Sequence, residues 1–164
     1  MQLNLHDVIH TPGASIEFAY EPDLSDGVGG CITAVKPGPK AVGKVRNTAG
    51  LLFFEADLDV TVSCVCARCL KEFELPIHRR ILAVLSEDES EDDPDVYALD
   101  GESVDVDEII HTDFILNLNQ SPLCKEDCKG LCPKCGADLN EGPCGCKKET
   151  DPRLAVLEQL LESE

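Results

Sequence analysis

Between positions 124 and 146 the chain places six of its ten cysteines, as Cys124-Lys-Glu-Asp-Cys128-Lys-Gly-Leu-Cys132-Pro-Lys-Cys135-Gly136, closed by Cys144-Gly-Cys146. No other feature restricts the fold as much. A Cys-x2-Cys pair lets two thiolates of one tight turn face a single ion, and Pro133 and Gly136 fix that turn and relieve its strain. Zinc is the expected metal. Cys64-Val-Cys66-Ala-Arg-Cys69 supplies a second Cys-x2-Cys upstream, so eight thiols suffice for two four-thiolate zinc sites. One partition groups Cys132, Cys135, Cys144 and Cys146 as a local site and leaves Cys124 and Cys128 to close on Cys66 and Cys69. A rival partition puts Cys124, Cys128, Cys132 and Cys135 on one ion, and spacing alone does not choose between them. Cys31 and Cys64 are left over. A disulfide framework is disfavoured, because Met1-Gln-Leu-Asn-Leu-His has neither the basic region nor the apolar run of a secretory leader.

At 164 residues, with 43% apolar residues, the chain has enough material for one core. Aromatics are scarce, so bound zinc is expected to be part of the fold: structural zinc contributes an apparent ~10–16 kcal/mol in small modules, comparable with a whole domain's stability. The expected fold class is α+β: a mainly antiparallel β-sheet with a packed helix, a C-terminal Cys-rich zinc knuckle and a terminal helix. The expected division is a β-rich core over 1–123, a zinc-binding module over 124–148 and a C-terminal helix over 149–164.

The β signals run almost without a break from Cys31 to Leu85. Residues 32–35 and 41–47 read as strands, with turns at Pro37-Gly-Pro39 and Thr48-Ala-Gly50. A long strand from Leu51 carries Leu58, Val60, Val62, Cys64 and Cys66 at period two into the first Cys-x2-Cys. Phe73, Leu75, Ile77, Arg79, Ile81, Ala83 and Leu85 alternate on the way back. The knuckle thus stands in for a hairpin loop. The first 25 residues read as a strand, with Ile16, Phe18 and Tyr20 on one side, followed by a loop. Residues 86–103 read as an exposed acidic loop. A helix follows, capped by Asp105 or Asp107, with Ile109, Ile110, Phe114 and Leu118 as its apolar face. Asp151 and Pro152 open the last helix, which carries a leucine stripe.

Thirty-two acids against fourteen bases give a formal charge of −18, a field that repels nucleic acid as a whole. The charge is segregated: residues 86–113 hold thirteen acids and no Lys or Arg, whereas residues 27–54 hold no acid. Lys36, Lys40, Lys44 and Arg46, with Arg68 beside the first knuckle, form a possible RNA-binding set. Glu87, Asp88, Glu89, Glu91, Asp92 and Asp93 form a possible site for a basic client. His6, His10, His78 and His111 are scattered, with none at metal spacing to another, and are expected on the surface. No phosphate-binding loop, nucleophile elbow or dinucleotide fingerprint is present. No apolar run is long enough for a membrane span, and no small-molecule substrate is evident. Two closed four-thiolate sites point to structural metal rather than catalysis.

Several of these motifs occur together elsewhere. Cys66-Ala-Arg-Cys69-Leu70, Phe73-Glu-Leu-Pro76, the run from Pro122 to Gly136, Asn140-Glu-Gly-Pro-Cys144 and Asp151-Pro-Arg-Leu154 resemble the YceD family, with the likeness spanning about residues 40–161. Members are described as large ribosomal RNA subunit accumulation proteins. The resemblance implies a cytoplasmic, non-enzymatic role in large-subunit rRNA accumulation and ribosome assembly, with a ribosomal protein or pre-rRNA as partner. Some members lack the distal knuckle but keep the first Cys-x-Arg-Cys and a later pair, which favours the partition that joins Cys66 and Cys69 to Cys124 and Cys128. The competing function class is a redox-sensing zinc chaperone, suggested by Cys144-Gly-Cys146 beside Cys132-x2-Cys135.

Overall fold

Period-two alternation yields two long strands, β5 (Leu51–Val65) and β6 (Glu72–Ser86), that frame the structure. They pair antiparallel from Leu52 opposite Leu85 to Val65 opposite Glu72. Their inner face buries Leu52, Phe54, Ala56, Leu58, Val60, Val62 and Cys64 from one strand and Ile81, Ala83 and Leu85 from the other. The computed structural model describes residues 1–87 and 96–146. The remaining elements are β1 (Gln2–Asn4), α1 (His6–His10), β2 (Ser15–Tyr20), β3 (Ile32–Val35), β4 (Lys40–Thr48), β7 (Val96–Ala98), β8 (Ser103–Asp105) and α2 (Val106–Leu116). The helix expected over 149–164 lies outside the described residues.

The main sheet runs β2-β4-β5-β6-β7, and β3 also pairs with β5. Strands β3 and β4 lie in succession along one edge of β5, one against residues 62–64 and the other against residues 51–59. The Pro37-Gly38-Pro39 turn passes the chain between them. Ala49 and Gly50 both have positive φ (55° and 90°) in the two-residue link from β4 to β5, as a tight hairpin turn matching strand twist requires.

The amino-terminal region differs from the strand and loop expected of it. A short strand and a five-residue helix precede β2. That helix is too short to show apolar periodicity and depends on tertiary contacts. Val8 is buried, and the Asn47 side chain, the one buried polar residue among those described, donates from Nδ2 to the carbonyls of Val8 (2.8 Å) and Ile9 (3.0 Å). These bonds satisfy carbonyls that so short a helix leaves without partners.

The acidic loop expected over 86–103 contains strand structure in its described part. Strand β7 pairs parallel with β6, Val84 opposite Val96 and Ser86 opposite Ala98, and β8 pairs with β1. Half-buried Val96 and Tyr97, together with backbone pairing, outweigh the local charge. Helix α2 starts at Asp105, whose carboxylate accepts from the Asp107 N–H, and buries Val106, Ile109, Ile110 and Phe114. Leu118 is only half-buried. Arg79, on the inner face of β6, donates to Asp113 through Nε (3.0 Å) and a terminal nitrogen (3.4 Å), tying helix to sheet. Among the described residues no helix is long and apolar enough to cross a membrane.

Candidate metal centres

The β5–β6 hairpin closes on the first knuckle. The Cys66 N–H donates to the Lys71 carbonyl (2.9 Å), and the Leu70 N–H to the Cys66 carbonyl (3.0 Å). Leu70 adopts φ 59° to complete the turn. The second knuckle repeats this geometry: the Cys132 N–H donates to Ala137 (2.8 Å), the Gly136 N–H donates to Cys132 (2.9 Å), and Gly136 has φ 71°. In each case the backbone turns so that both thiols emerge on one side.

Eight thiols gather into two groups. Cys66, Cys69, Cys124 and Cys128 form one, and Cys132, Cys135, Cys144 and Cys146 the other, with the sulfurs of each group within 4.8 Å of one another. Cys124 and Cys128 therefore lie with the hairpin knuckle and not with Cys132 and Cys135, the geometry of the first partition rather than its rival. The Sγ atoms of Cys66 and Cys128 are 3.7 Å apart, and those of Cys69 and Cys124 are 3.6 Å apart. These separations are too long for a disulfide. They approach the roughly 3.8 Å edge of a tetrahedron with metal–sulfur bonds of about 2.3 Å. The four-thiol donor set fits a tetrahedral thiophilic ion such as zinc, although other thiophilic metals share that preference.

Within the first group, burial pushes the Cys66 thiol up, but the N–H groups of Cys124, Cys69 and Arg68 more than offset it and bring it to about 6. Cys124 is pushed up to about 12 by burial and by the neighbouring thiols. In the second group, the N–H groups of Cys135 and Lys134 and the Cys144 side chain lower Cys132 to about 6. Cys146 is raised to about 12 by Cys135, burial and Cys132. Each group thus sets a lowered thiol beside raised ones, Cys66 beside Cys124 and Cys132 beside Cys146, so four thiolates together call for a compensating cation.

The two groups are joined through side chains that carry no metal-binding signal in the sequence. Arg68 donates to the Cys128 carbonyl (2.9 Å), and its own carbonyl accepts from the Leu131 N–H (3.2 Å). A Cβ on Gly130 would lie only 3.0 Å from that Arg68 oxygen, so glycine permits the approach. Asn140 donates to the Cys128 sulfur (3.5 Å) and accepts from the Lys129 N–H (2.9 Å). Lys71, next to the first knuckle, pairs with Asp138 (2.7 Å) and Glu141 (3.3 Å) of the second module. The Lys71 ammonium, helped by the Asn140 N–H, lowers the Asp138 carboxyl to about 2.

The family described as "Large ribosomal RNA subunit accumulation protein YceD" matches residues 54–161, a span containing both knuckles and every thiol of both groups. The chain belongs to the YceD family. The family's description refers to accumulation of the large ribosomal RNA subunit. The chain is similar to uncharacterized proteins of Mycobacterium tuberculosis and Mycobacterium bovis, 34% identical over 108 residues that cover 60% of this chain and 50% of each relative. The chain spans about half the length of these curated relatives. It is also similar to the uncharacterized protein YlbN of Bacillus subtilis, 25% identical over 176 residues covering 100% of this chain and 98% of that protein. No solved structure shows significant similarity.

The charged residues singled out in this YceD chain are placed unevenly. Lys40, Lys44 and Arg46 share the outer face of β4, whereas Lys36 lies beyond β3, paired with Glu74 (2.8 Å). Arg68 sits in the first metal group. Three of the five bases thus share one face, and Lys36 and Arg68 stand apart from it, each held by a local partner. Glu87 is at the end of the described segment, and Asp88, Glu89, Glu91, Asp92 and Asp93 lie outside the described residues.

The histidines require a correction. His6 and His10 are on the surface as expected, but they lie one helical turn apart on α1 and both rings meet Glu102, so the pair does stand at metal spacing. The four-residue spacing is a sequence signal for such a pair. It passes unnoticed when α1 is read as strand and loop.

Proposed function

We propose that this chain is a non-enzymatic factor in large-subunit ribosome assembly, in which two structural zinc ions staple a β domain that holds a basic ribosomal protein. The observation that carries the choice of a protein client is the way the sheet spends its bases. Lys40 stands opposite Asp59 in the register. Lys44, Arg46 and Arg80 converge on Glu55, at 4.0, 3.0 and 3.8 Å. With Lys36 on Glu74 and Arg68 on a backbone carbonyl, four of the five bases that would track an RNA backbone have local partners, while the chain as a whole carries −18. A basic ribosomal protein complements that field, and the complement also accelerates encounter.

The test is capture from growing cells with the tagged chain, scored for rRNA and for proteins at two salt concentrations. Replacing Glu87, Asp88, Glu89, Glu91, Asp92 and Asp93 with their amides is expected to weaken capture of a basic protein and flatten its salt dependence. Replacing Lys36, Lys40, Lys44, Arg46 and Arg68 with alanine is expected to leave that capture in place. The opposite pattern, with RNA bound by the wild type and lost with the bases, overturns the reading in favour of direct rRNA binding.

The redox-chaperone reading draws support from the exposure of Cys135 and Cys146 in the distal group. Zinc release under mild peroxide, coupled to a gain of activity in preventing aggregation, is the result that would favour it.

A further inference from the structure

Away from the thiols, α1 and the turn before β8 bring three metal-capable side chains together. The ring nitrogen Nδ1 of His6 lies 2.7 Å from one carboxylate oxygen of Glu102, and Nε2 of His10 lies 2.9 Å from the other. The two imidazoles stand edge to face with centroids 4.8 Å apart. All three ligand atoms fall within 4.8 Å of one another, and the three residues are exposed.

The arrangement is held by the backbone on both sides. Strand β1 pairs with β8, placing Asn4 opposite Ser103, so Glu102 and His6 lie at neighbouring ends of the ladder. The Leu5 N–H donates to the carbonyl of Glu102 itself (2.7 Å), and the Leu5 side chain is fully buried. Asn47 fixes the far end of α1 through the carbonyls of Val8 and Ile9. The two imidazoles therefore share one face of a fixed turn, and the carboxylate approaches them from a fixed strand end.

We propose that His6, His10 and Glu102 form a third cation site, selective for a borderline divalent ion of the zinc class. Two imidazoles and one carboxylate are a nitrogen–oxygen donor set that suits such ions better than calcium or magnesium, which prefer oxygen alone. Ligand atoms around an ion bound at about 2.0–2.1 Å stand roughly 3 Å apart. The two carboxylate contacts already have this spacing, at 2.7 and 2.9 Å, and the exposed rings have room for the larger rotations that bring both imidazole nitrogens around one ion. Three protein ligands leave at least one position for water or for a donor from another molecule, unlike the closed four-thiol groups. The surrounding acidic field draws cations toward this face. The site is independent of the client-binding reading above.

The test uses the full chain with its thiol groups already loaded with zinc and dialysed to a constant metal content. Calorimetric titration with Zn²⁺ is expected to show one further equivalent, bound more weakly than the retained ions. His10→Ala and Glu102→Gln are each expected to abolish that equivalent while leaving the retained zinc and the thermal unfolding of the sheet in place. In the wild type, Zn²⁺ is expected to shift the imidazole nitrogen resonances of His6 and His10 and to leave those of His78 unmoved. No additional equivalent in the wild type, or an additional equivalent undiminished in both variants, overturns the proposal and leaves the cluster as an ion pair that ties α1 to the β8 turn.

Discussion

The two knuckles are nearly the same turn put to different use. Each closes with a Cys N–H bonded to a carbonyl five residues on and a carbonyl that accepts an N–H four residues on. The first draws its other two thiols from 55 or more residues downstream and buries Cys66, Cys69 and Cys128 against Phe73, Leu123 and Leu131. The second finds all four thiols within residues 132–146 and leaves Cys135 and Cys146 exposed. Local sequence thus specifies the turn, and topology decides whether a metal there clamps the whole domain or orders only a short stretch.

The comparison breaks most decisively at the ligands. Cys69→Ser is expected to destabilise the sheet by several kcal/mol, because it opens a site that closes a long loop and leaves buried Cys66 and Cys128 and half-buried Cys124 without their ion. Cys135→Ser is expected to loosen residues 132–146 while shifting the melting of the sheet by only a few degrees. Metal analysis of the wild type is expected to give two zinc equivalents, and a chromogenic chelator is expected to remove the exposed distal one first. Equal melting losses for the two variants, by circular dichroism in the β region, would erase the distinction between clamp and local module.

A smaller difference lies in the residue that completes each turn. Leu70 holds φ 59° with 63% of its surface exposed, whereas its counterpart is Gly136 at φ 71°. A left-handed conformation costs a non-glycine residue roughly 1–2 kcal/mol. Leu70→Gly is therefore expected to stabilise the hairpin end by a few tenths to about 1 kcal/mol, after allowing for the entropy of glycine. Gly136→Leu is expected to weaken the distal group by about 1–2 kcal/mol. Chemical denaturation of the zinc-loaded proteins reads the first change, and distal zinc release reads the second.

The smallest effect belongs to the stem of the hairpin, which the distal module lacks. His78 on β6 faces Asp59 on β5 at 2.7 Å. Its pKa is raised above the ordinary 6.5 by the hydrogen bond to Asp59 and then by the charges of Asp59 and Asp57. Because the folded value is the higher one, the contribution to stability is fully present below the unfolded pKa and fades as pH rises through the folded pKa. Both side chains are well exposed, so the effect on stability is small. An NMR titration is expected to place the His78 midpoint above 6.5, with Asp59→Asn returning it toward that value.

Much of this was readable from residue order. The alternation over 51–65 and 72–86 sets which side of each strand is buried, and the cysteine spacing identifies both knuckles. Harder to read was whatever depends on partners distant in sequence. Helix α1 is held by Asn47 and by its buried Val8 rather than by its own periodicity. Strand β7 forms inside an acidic stretch because β6 offers it a free edge. Leu70 occupies a position where glycine would have announced the turn. The five bases look like one set in the sequence, and only the strand register and the knuckle contacts separate Lys36 and Arg68 from the three on β4.

The distance between the two halves of the first thiol group has a consequence for the chain during its synthesis. Cys66 and Cys69 emerge from a ribosome 55 residues before the first of the thiols that complete their site. At typical rates of about 5–20 residues per second this interval lasts roughly 3–11 seconds. Throughout it the nascent hairpin offers an unfinished two-thiolate site, open to a metal donor or an oxidant, and the sheet it belongs to gains its clamp only once Cys124 and Cys128 have emerged. The distal group appears later still but assembles almost at once, since all its thiols come within one short stretch.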